Sequence, residues 1–275
     1  MWYRIYEVLI IQCSDESRIR GGARMKISLT FIGFVLITAA VLTVTCCATK
    51  SRAVGEACPD GLIAYWKLDE GEGDTAYDSV GDNDGVIHNG AGWVPGKVGS
   101  ALSFDGDDDR VRLPSRVISG DTLTVNLWMK TDDDYFSLIS GANGTFDNEY
   151  GLNLFVRIVL GYHDSHGSNS YYTNIIIDDN SWHMISIVSE VSGTTFYVDG
   201  KLREESDPPF GTKDEFRIEA LWLGGDQDCV DGCWERDQQF MGIVDEIAIY
   251  HRALSRKEIE QHYNRISAGK SYCDL

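Results

Sequence analysis

Basic residues are scarce in this chain: 24 Lys and Arg stand against 43 Asp and Glu in 275 residues, a formal charge of −19. That deficit argues against a nucleic-acid partner, because phosphate contacts need clustered Lys and Arg. The imbalance is uneven. Residues 1–54 hold seven basic against three acidic side chains, which leaves 17 against 40 from residue 55 onward. Such a body repels anionic polymers and attracts divalent cations. Catalytic signatures are also missing: neither Gly-x-Ser-x-Gly nor His-Glu-x-x-His occurs, which removes the common hydrolase and zinc-protease patterns. His163 and His166 sit in a Gly/Ser/Asp loop without a third ligand. From residue 60 to about 250 no segment carries a helical period, so a parallel α/β fold is excluded. A hydrophobic content of 43% nevertheless suffices for a real core and excludes wholesale disorder.

The one long apolar run lies at 27–45, nineteen residues without a charge behind Arg24 and Lys26. A basic start followed by an apolar run reads as an export signal, and nineteen residues also suffice for a membrane anchor. Met25 is a conventional start for such a signal, so residues 1–24 are a short extension or a mis-called start. Residues 25–47 are then the signal peptide or anchor, 48–59 a linker, 60–268 the folded domain and 269–275 a tail. Cys46 and Cys47 invite a lipoprotein reading, although Thr45 is larger than a lipobox prefers. Membrane contact is expected only through this leader, and the body is expected outside the cytoplasm, anchored at the surface or secreted. Of seven cysteines, three (Cys13, Cys46, Cys47) precede the body, leaving Cys58, Cys229, Cys233 and Cys273 with three possible pairings. The simplest joins Cys58 to Cys273 across the whole domain and Cys229 to Cys233. Four free thiols or a zinc site are the alternatives, but the paired Cys-x2-Cys spacings that zinc favours are absent.

Within the body, short period-two runs alternate with Gly, Asp and Asn clusters. In 122–130, Leu123, Val125, Leu127 and Met129 point one way, and 149–157 repeats the pattern, the signature of strands. Asp199-Gly200 between two such runs predicts a hairpin, since both turn residues must accept positive φ. About a dozen strands call for an antiparallel sandwich. One helix is legible at the end: Ser255-Arg256-Lys257-Glu258 is a capping box, with Leu254 and Ile259 placed for a hydrophobic staple. It should run to about Ile266 and pack through Ile259, Tyr263 and Ile266.

Four segments in this order, 62–114, 122–130 (TLTVNLWMK), 182–202 and 242–264 (GIVDEIAIYHRALSRKEIEQHYN), resemble a laminin G-like module of the concanavalin A-like lectin/glucanase superfamily. The resemblance spans roughly 60–266. It implies an all-β antiparallel jelly-roll β-sandwich with one short C-terminal α-helix, and a binding or adhesion module for carbohydrate or an extracellular protein. Retaining glycosidases on this superfold need two carboxylates about 5 Å apart, commonly as Glu-x-Asp-x-x-Glu, and no such string occurs. Carboxylates from separate loops would be the enzymatic alternative, and a purely structural adhesion domain a third. Asp245 and Glu246 are adjacent, so simple alternation sends them to opposite faces and precludes cooperation.

Three places invite a site. The opening block is crowded with Asp69, Glu70, Glu72, Asp74, Asp78, Asp82 and Asp84; oxygen-rich, glycine-interleaved loops suit calcium, while Asp in turns equally bonds its own backbone. Alternation in 242–250 sets Asp245 on one face with Ile243, Ile247 and Ile249. A carboxylate there needs a cation, Arg252 or backbone N–H groups. Structural calcium, which the resemblance permits, would engage Asp69, Asp78 and Asp245, joining the last strand to the opening block. The loop 224–240 presents Trp234 beside Asp226, Asp228, Asp231 and Glu235. An aromatic face beside fixed carboxylates suits sugar recognition, so Trp234, Asp228, Asp231 and Glu235 are the candidate ligand-binding residues. The competing reading has Trp234 packing inward. Asn143-Gly144-Thr145 is a glycosylation sequon.

Overall fold

A computed structural model describes residues 58–120, 122–142, 153–155, 159–164, 167–172, 177–190, 193–206 and 218–273. All fall in one of the two units into which the chain divides, Arg52–Leu275. The leader with its cysteines, the sequon at 143–145, the side chains of His163 and His166, and most of the strand expected at 149–157 lie outside the described residues.

The strands are β1 (Leu62–Trp66), β2 (Thr75–Ala76), β3 (Gly85–His88), β4 (Gly92–Pro95), β5 (Ser100–Asp105), β6 (Arg110–Leu113), β7 (Leu123–Lys130), β8 (Ile139–Ala142) and β9 (Asn153–Phe155). They continue with β10 (Val159–Asp164), β11 (Gly167–Tyr172), β12 (His183–Glu190), β13 (Gly193–Val198), β14 (Lys201–Ser206), β15 (Ala220–Leu223), β16 (Gln227–Cys229), β17 (Gly232–Trp234) and β18 (Met241–Tyr250), before the helix α1 (Arg256–Ser267). One sheet runs β14-β13-β12-β7-β18-β5-β4, with β1 also paired to β18; a second runs β2-β3-β6-β15-β8. Strands β9–β11 form a separate three-stranded sheet and β16–β17 a two-stranded one. The named pairings are antiparallel throughout, as the sequence pattern predicts.

The two larger sheets share a core. Leu123, Val125, Leu127 and Met129 of β7 meet Val111 and Leu113 of β6 and Leu221 and Leu223 of β15. Burying each such side chain contributes about 1.5–3 kcal/mol, so these alternating residues specify the inner face. The opposite face of the first sheet is also covered. Tyr65, Trp128, Met184, Ala248 and Tyr250 pack against Leu254, Ile259 and Ile266 of the helical segment and against Tyr272. Tyr263 stacks on Trp128 with ring centroids 5.5 Å apart. The capping box is present: Glu258 N–H donates to Ser255 Oγ (3.4 Å) and Ser255 N–H to Glu258 Oε2 (2.8 Å). The β13–β14 turn carries φ of +54° at Asp199 and +73° at Gly200, as the hairpin requires.

Strand β18 departs from simple alternation. Its residues Met241–Val244 pair with β5, whereas Ile247–Tyr250 pair with β1. A register shift between Asp245 and Ala248 on the β7 side marks a bulge, and Glu246 adopts φ +54°. The extra residue resets the phase. The core residues of β18 are therefore Val244, Ile247 and Ile249, which corrects the expected set of Ile243, Asp245, Ile247 and Ile249. Asp245 and Glu246 are both fully buried, at 0% exposure.

Cys58 is bonded to Cys273, closing a loop with a sequence separation of 215. Removing a bridge over so long a loop costs about 5 kcal/mol in the chain-entropy account, so Cys273→Ser should lower the urea-unfolding free energy by about that amount. A second expectation concerns His183, whose Nδ1 lies 2.9 Å from Asp199 Oδ2 and Nε2 3.1 Å from Asp179 Oδ1. The hydrogen bond and charge of Asp199 raise its pKa above 6.5, assisted by Asp179 and opposed by burial. A raised histidine stabilises fully below its ordinary pKa, and that contribution is lost as pH rises through the folded value. His183→Gln should flatten the fall in melting temperature just above pH 6.5.

Candidate functional site

The 224–240 loop opens at Gly224, where φ is +104° and a Cβ would come within 2.6 Å of Asp109 O and 2.7 Å of Phe104. Only glycine fits there. The chain then folds into the β16–β17 hairpin, bridged by Cys229–Cys233. Its anchor is Gln227, wholly buried, whose amide nitrogen donates to Ser140 O (3.0 Å) and Ala220 O (3.1 Å) while its carbonyl accepts from Asp231 N–H (3.1 Å). A buried amide satisfied at both ends holds the hairpin against β8 and β15.

Asp231 fastens the tip to the outer face of the second sheet. Its Oδ1 accepts from Arg112 Nε (2.8 Å) and Trp222 Nε1 (3.0 Å), and its Oδ2 from Arg112 Nη2 (3.2 Å). Trp234, half-buried, meets the edge of Trp222 at 5.3 Å between centroids and lies under the Arg110 guanidinium at 4.0 Å. Arg110 is itself held by Gln239 Oε1 (2.6 Å) and Asp108 O (2.9 Å). His88 on β3 extends the aromatic cluster, 5.1 Å from Trp222. Trp234 thus packs inward on one side, as the competing reading has it, and keeps part of its surface in water.

The hairpin gathers acids as well. Asp228 hydrogen-bonds Glu235, and its carboxyl is pushed up to about 7 by burial first, then by that hydrogen bond and by the charge of Glu235. Asp226 is pushed up to about 6 by burial and the same charge. The structure therefore brings Asp228 and Glu235 together, sets Asp231 in an ion pair and leaves Trp234 between two neighbours. An aromatic surface beside carboxyl groups that both donate and accept hydrogen bonds is chemistry suited to vicinal hydroxyls.

The other candidate acids lie elsewhere. Asp78 is buried and accepts from Tyr65 N (2.9 Å), Val80 N (2.9 Å), Asn83 N (3.1 Å) and Asn83 Nδ2 (2.8 Å), so its oxygens organise the opening block. Asp69 is exposed and accepts from Ser100 N (3.0 Å). Asp245 Oδ2 accepts from the N–H groups of Lys97 (2.8 Å) and Val98 (3.0 Å) in the β4–β5 turn. The last strand is thereby tied to the opening block, while Arg252 pairs with Glu258 at 2.7 Å instead. Glu246 accepts from the Tyr65 hydroxyl. The bulge also corrects the expectation that these neighbours cannot interact. Burial pushes Asp245 up to about 8 and Glu246 up to about 9, and the charge of Asp245 adds to the rise at Glu246. Asp105, Asp108 and Asp109 have carboxylate oxygens within 4.8 Å of one another at an otherwise exposed corner.

A laminin G family model, described as the concanavalin A-like lectin/glucanases superfamily, matches residues 105–260. The chain belongs to this superfamily. No curated protein matches it in sequence. Among solved structures it is similar to domain 4 of AbnA, a GH43 extracellular arabinanase of Geobacillus stearothermophilus in complex with arabinotriose, at 22% identity and TM-score 0.58, covering 75% of this chain and 98% of that one. It is also similar to the receptor binding domain of botulinum neurotoxin D (15% identity, TM-score 0.53, 74% of this chain and 52% of that one). A sialidase of Trypanosoma rangeli in complex with 2,3-difluorosialic acid follows at 16% identity and TM-score 0.53, over 78% of this chain and 35% of that one. The chain thus spans about half of the toxin domain and a third of the sialidase. At these identities the likeness concerns the fold.

In this concanavalin A-like domain, sequence reasoning missed Trp222, Arg110, Arg112 and Gln227. A signal was present for three of them: Arg110 and Arg112 alternate with core residues Val111 and Leu113, and Trp222 lies between Leu221 and Leu223. Each therefore points outward, but nothing local says that the faces of β6 and β15 adjoin. The shared hydrogen bond gives a direct test. Glu235→Gln removes the neighbouring charge, so the Asp228 carboxyl, followed by carbon-detected NMR, should titrate below its wild-type value near 7.

Proposed function

We propose that the chain is an exported, non-catalytic carbohydrate-binding module whose recognition surface is the disulfide-closed β16–β17 hairpin with the sheet face beneath it. The observation that carries this reading is Trp234: its ring is braced by Arg110 and Trp222, partly exposed, and set in a loop with Asp228, Asp231 and Glu235. A fixed aromatic surface stacks sugar C–H groups at little entropic cost, and carboxyl groups orient the hydroxyls. The fold likeness to an arabinanase domain in complex with arabinotriose, over 98% of that domain, supports the same reading.

Export rests on the basic-then-apolar leader at 25–47, as signal or anchor, and on two disulfides of the kind that persist in oxidising compartments. The domain proper is 60–268, between the 48–59 linker and the 269–275 tail. Among the described residues no helix is long and apolar enough to cross a membrane. A protein ligand at the cell surface would use the same face. A hydrolytic role is the second reading, favoured by Asp228 beside Glu235, since the Asp228 carboxyl is pushed up to about 7 by burial and by its neighbour.

Glycan-array binding followed by titration tests the proposal. Trp234→Ala should weaken binding at least tenfold while the near-ultraviolet circular dichroism outside the lost indole stays unchanged. Full binding by a destabilised variant would reduce Trp234 to packing, and release of shortened glycan would favour the hydrolase.

A further inference from the structure

The outer face of the second sheet continues past the hairpin. Val86 of β3, Arg112 of β6 and Trp222 of β15 are direct cross-strand partners, so one row of outward side chains leads away from Trp234 toward the far strands. Two interstrand spacings, roughly 10 Å, separate Val86 from Trp222. The row ends in a cleft of about 340 Å³ whose walls include Asp84, Val86, Arg112, Pro114, Ser115 and Arg116. Small-ligand sites combine such a volume with apolar surface and a few fixed polar groups. Here Val86, 47% exposed, and Pro114 supply the apolar surface. The polar groups are held from behind. Arg116 donates through Nη2 to Asp82 O (2.7 Å) and forms no ion pair among the described residues. Asp84 Oδ1 accepts from Asp78 N–H (2.8 Å), which leaves Oδ2 for a hydroxyl donor. Arg112 engages Asp231 through Nε and Nη2 and keeps Nη1. Arg112 is therefore common to both regions, fastening the hairpin and forming one wall of the cleft.

We propose that this cleft is a second subsite for the glycan that the hairpin binds, and that the ligand is a neutral linear oligosaccharide of roughly three or more units lying across β15, β6 and β3. One unit stacks on Trp234, the next passes over Arg112, and the terminal unit enters the cleft. There its C–H surface meets Val86 and Pro114, while its hydroxyls accept from Arg116 and donate to Asp84. Arg112 and Arg116 are balanced by Asp231 and Asp84, so the cleft offers no net positive charge to draw in an anion on an already acidic body. The inference rests on the hairpin reading and adds to it the length, direction and charge of the ligand.

The test uses the whole domain with both disulfides intact. The probes are neutral linear gluco-, xylo-, manno- and arabino-oligosaccharides of one to five units, each also offered with a terminal uronate. Within the series that binds, calorimetric titration should show the four-unit ligand bound about tenfold more tightly than the two-unit one, since the second contact is then intramolecular. The uronate should add nothing. The Val86 methyl resonances should shift with the four-unit ligand and stay in place with a single unit. Arg116→Ala and Val86→Asn, both at exposed positions, should bring four-unit binding down to the two-unit level at unchanged far-ultraviolet circular dichroism. Trp234→Ala should weaken ligands of every length. Equal affinity for two and four units, or a gain with length that survives both cleft variants, would overturn the subsite and leave the hairpin reading in place. Tighter binding of the uronate forms would overturn it in favour of an anion site on Arg116. Binding of no member of any series would overturn the hairpin reading and the subsite with it.

Discussion

The pairing of the first strand with the last is the constraint on which the rest of this structure depends. Strand β1 adds to the half of β18 that β5 leaves free, so the two ends of the domain are neighbours in one sheet, with sequence separations near 185 between paired residues such as Leu62 and Tyr250. Closing so long a loop costs entropy that only many cooperative contacts offset. The chain supplies them in three layers: backbone pairing, the aromatic packing of Tyr65 on Tyr272 at 5.2 Å, and the Cys58–Cys273 bridge just beyond.

That arrangement explains the bulge. Strand β18 must satisfy β5 along its first half and β1 along its second, and the handover falls at Asp245 and Glu246. One extra residue there keeps Val244 and Ile247 in the core on either side of the break. The displaced carboxylates are then enclosed between the sheet and the β4–β5 turn, where backbone N–H groups and a tyrosine hydroxyl replace part of their hydration. Tyr65 links this interior to the chain end, since its hydroxyl donates to Glu246 and accepts from Tyr272 N–H at 3.4 Å. Structural closure and the buried acids are one arrangement.

The candidate binding face is built on a different principle. The hairpin of β16 and β17 is too short to hold itself, so it borrows rigidity from Gln227, from the Asp231–Arg112 pair and from a covalent ring. A half-exposed ion pair of this kind contributes little to stability; here it orients. The acidic body and the braced indole together favour ligands that offer hydroxyls and C–H surface over ligands that offer negative charge.

Much of this was legible before any coordinates. A period-two run identified β7, because Leu123, Val125, Leu127 and Met129 fill the core between the sheets and the pleat repeats every two residues. Asp199-Gly200 and Ser255–Glu258 are local signals, decided by backbone sterics and by orphaned N–H groups within a few residues. The pairing of Cys58 with Cys273 followed from counting and position. Only tertiary structure decided where β18 breaks phase, because the bulge answers to two different partner strands and leaves no mark in its own residues. It also decided that Arg110, Arg112, Trp222 and Trp234 form one surface, and that Asp78 is spent on backbone donors while Asp245 and Glu246 keep an oxygen each. Side-chain chemistry is written residue by residue, but which groups meet depends on strand order, and strand order is a property of the whole chain.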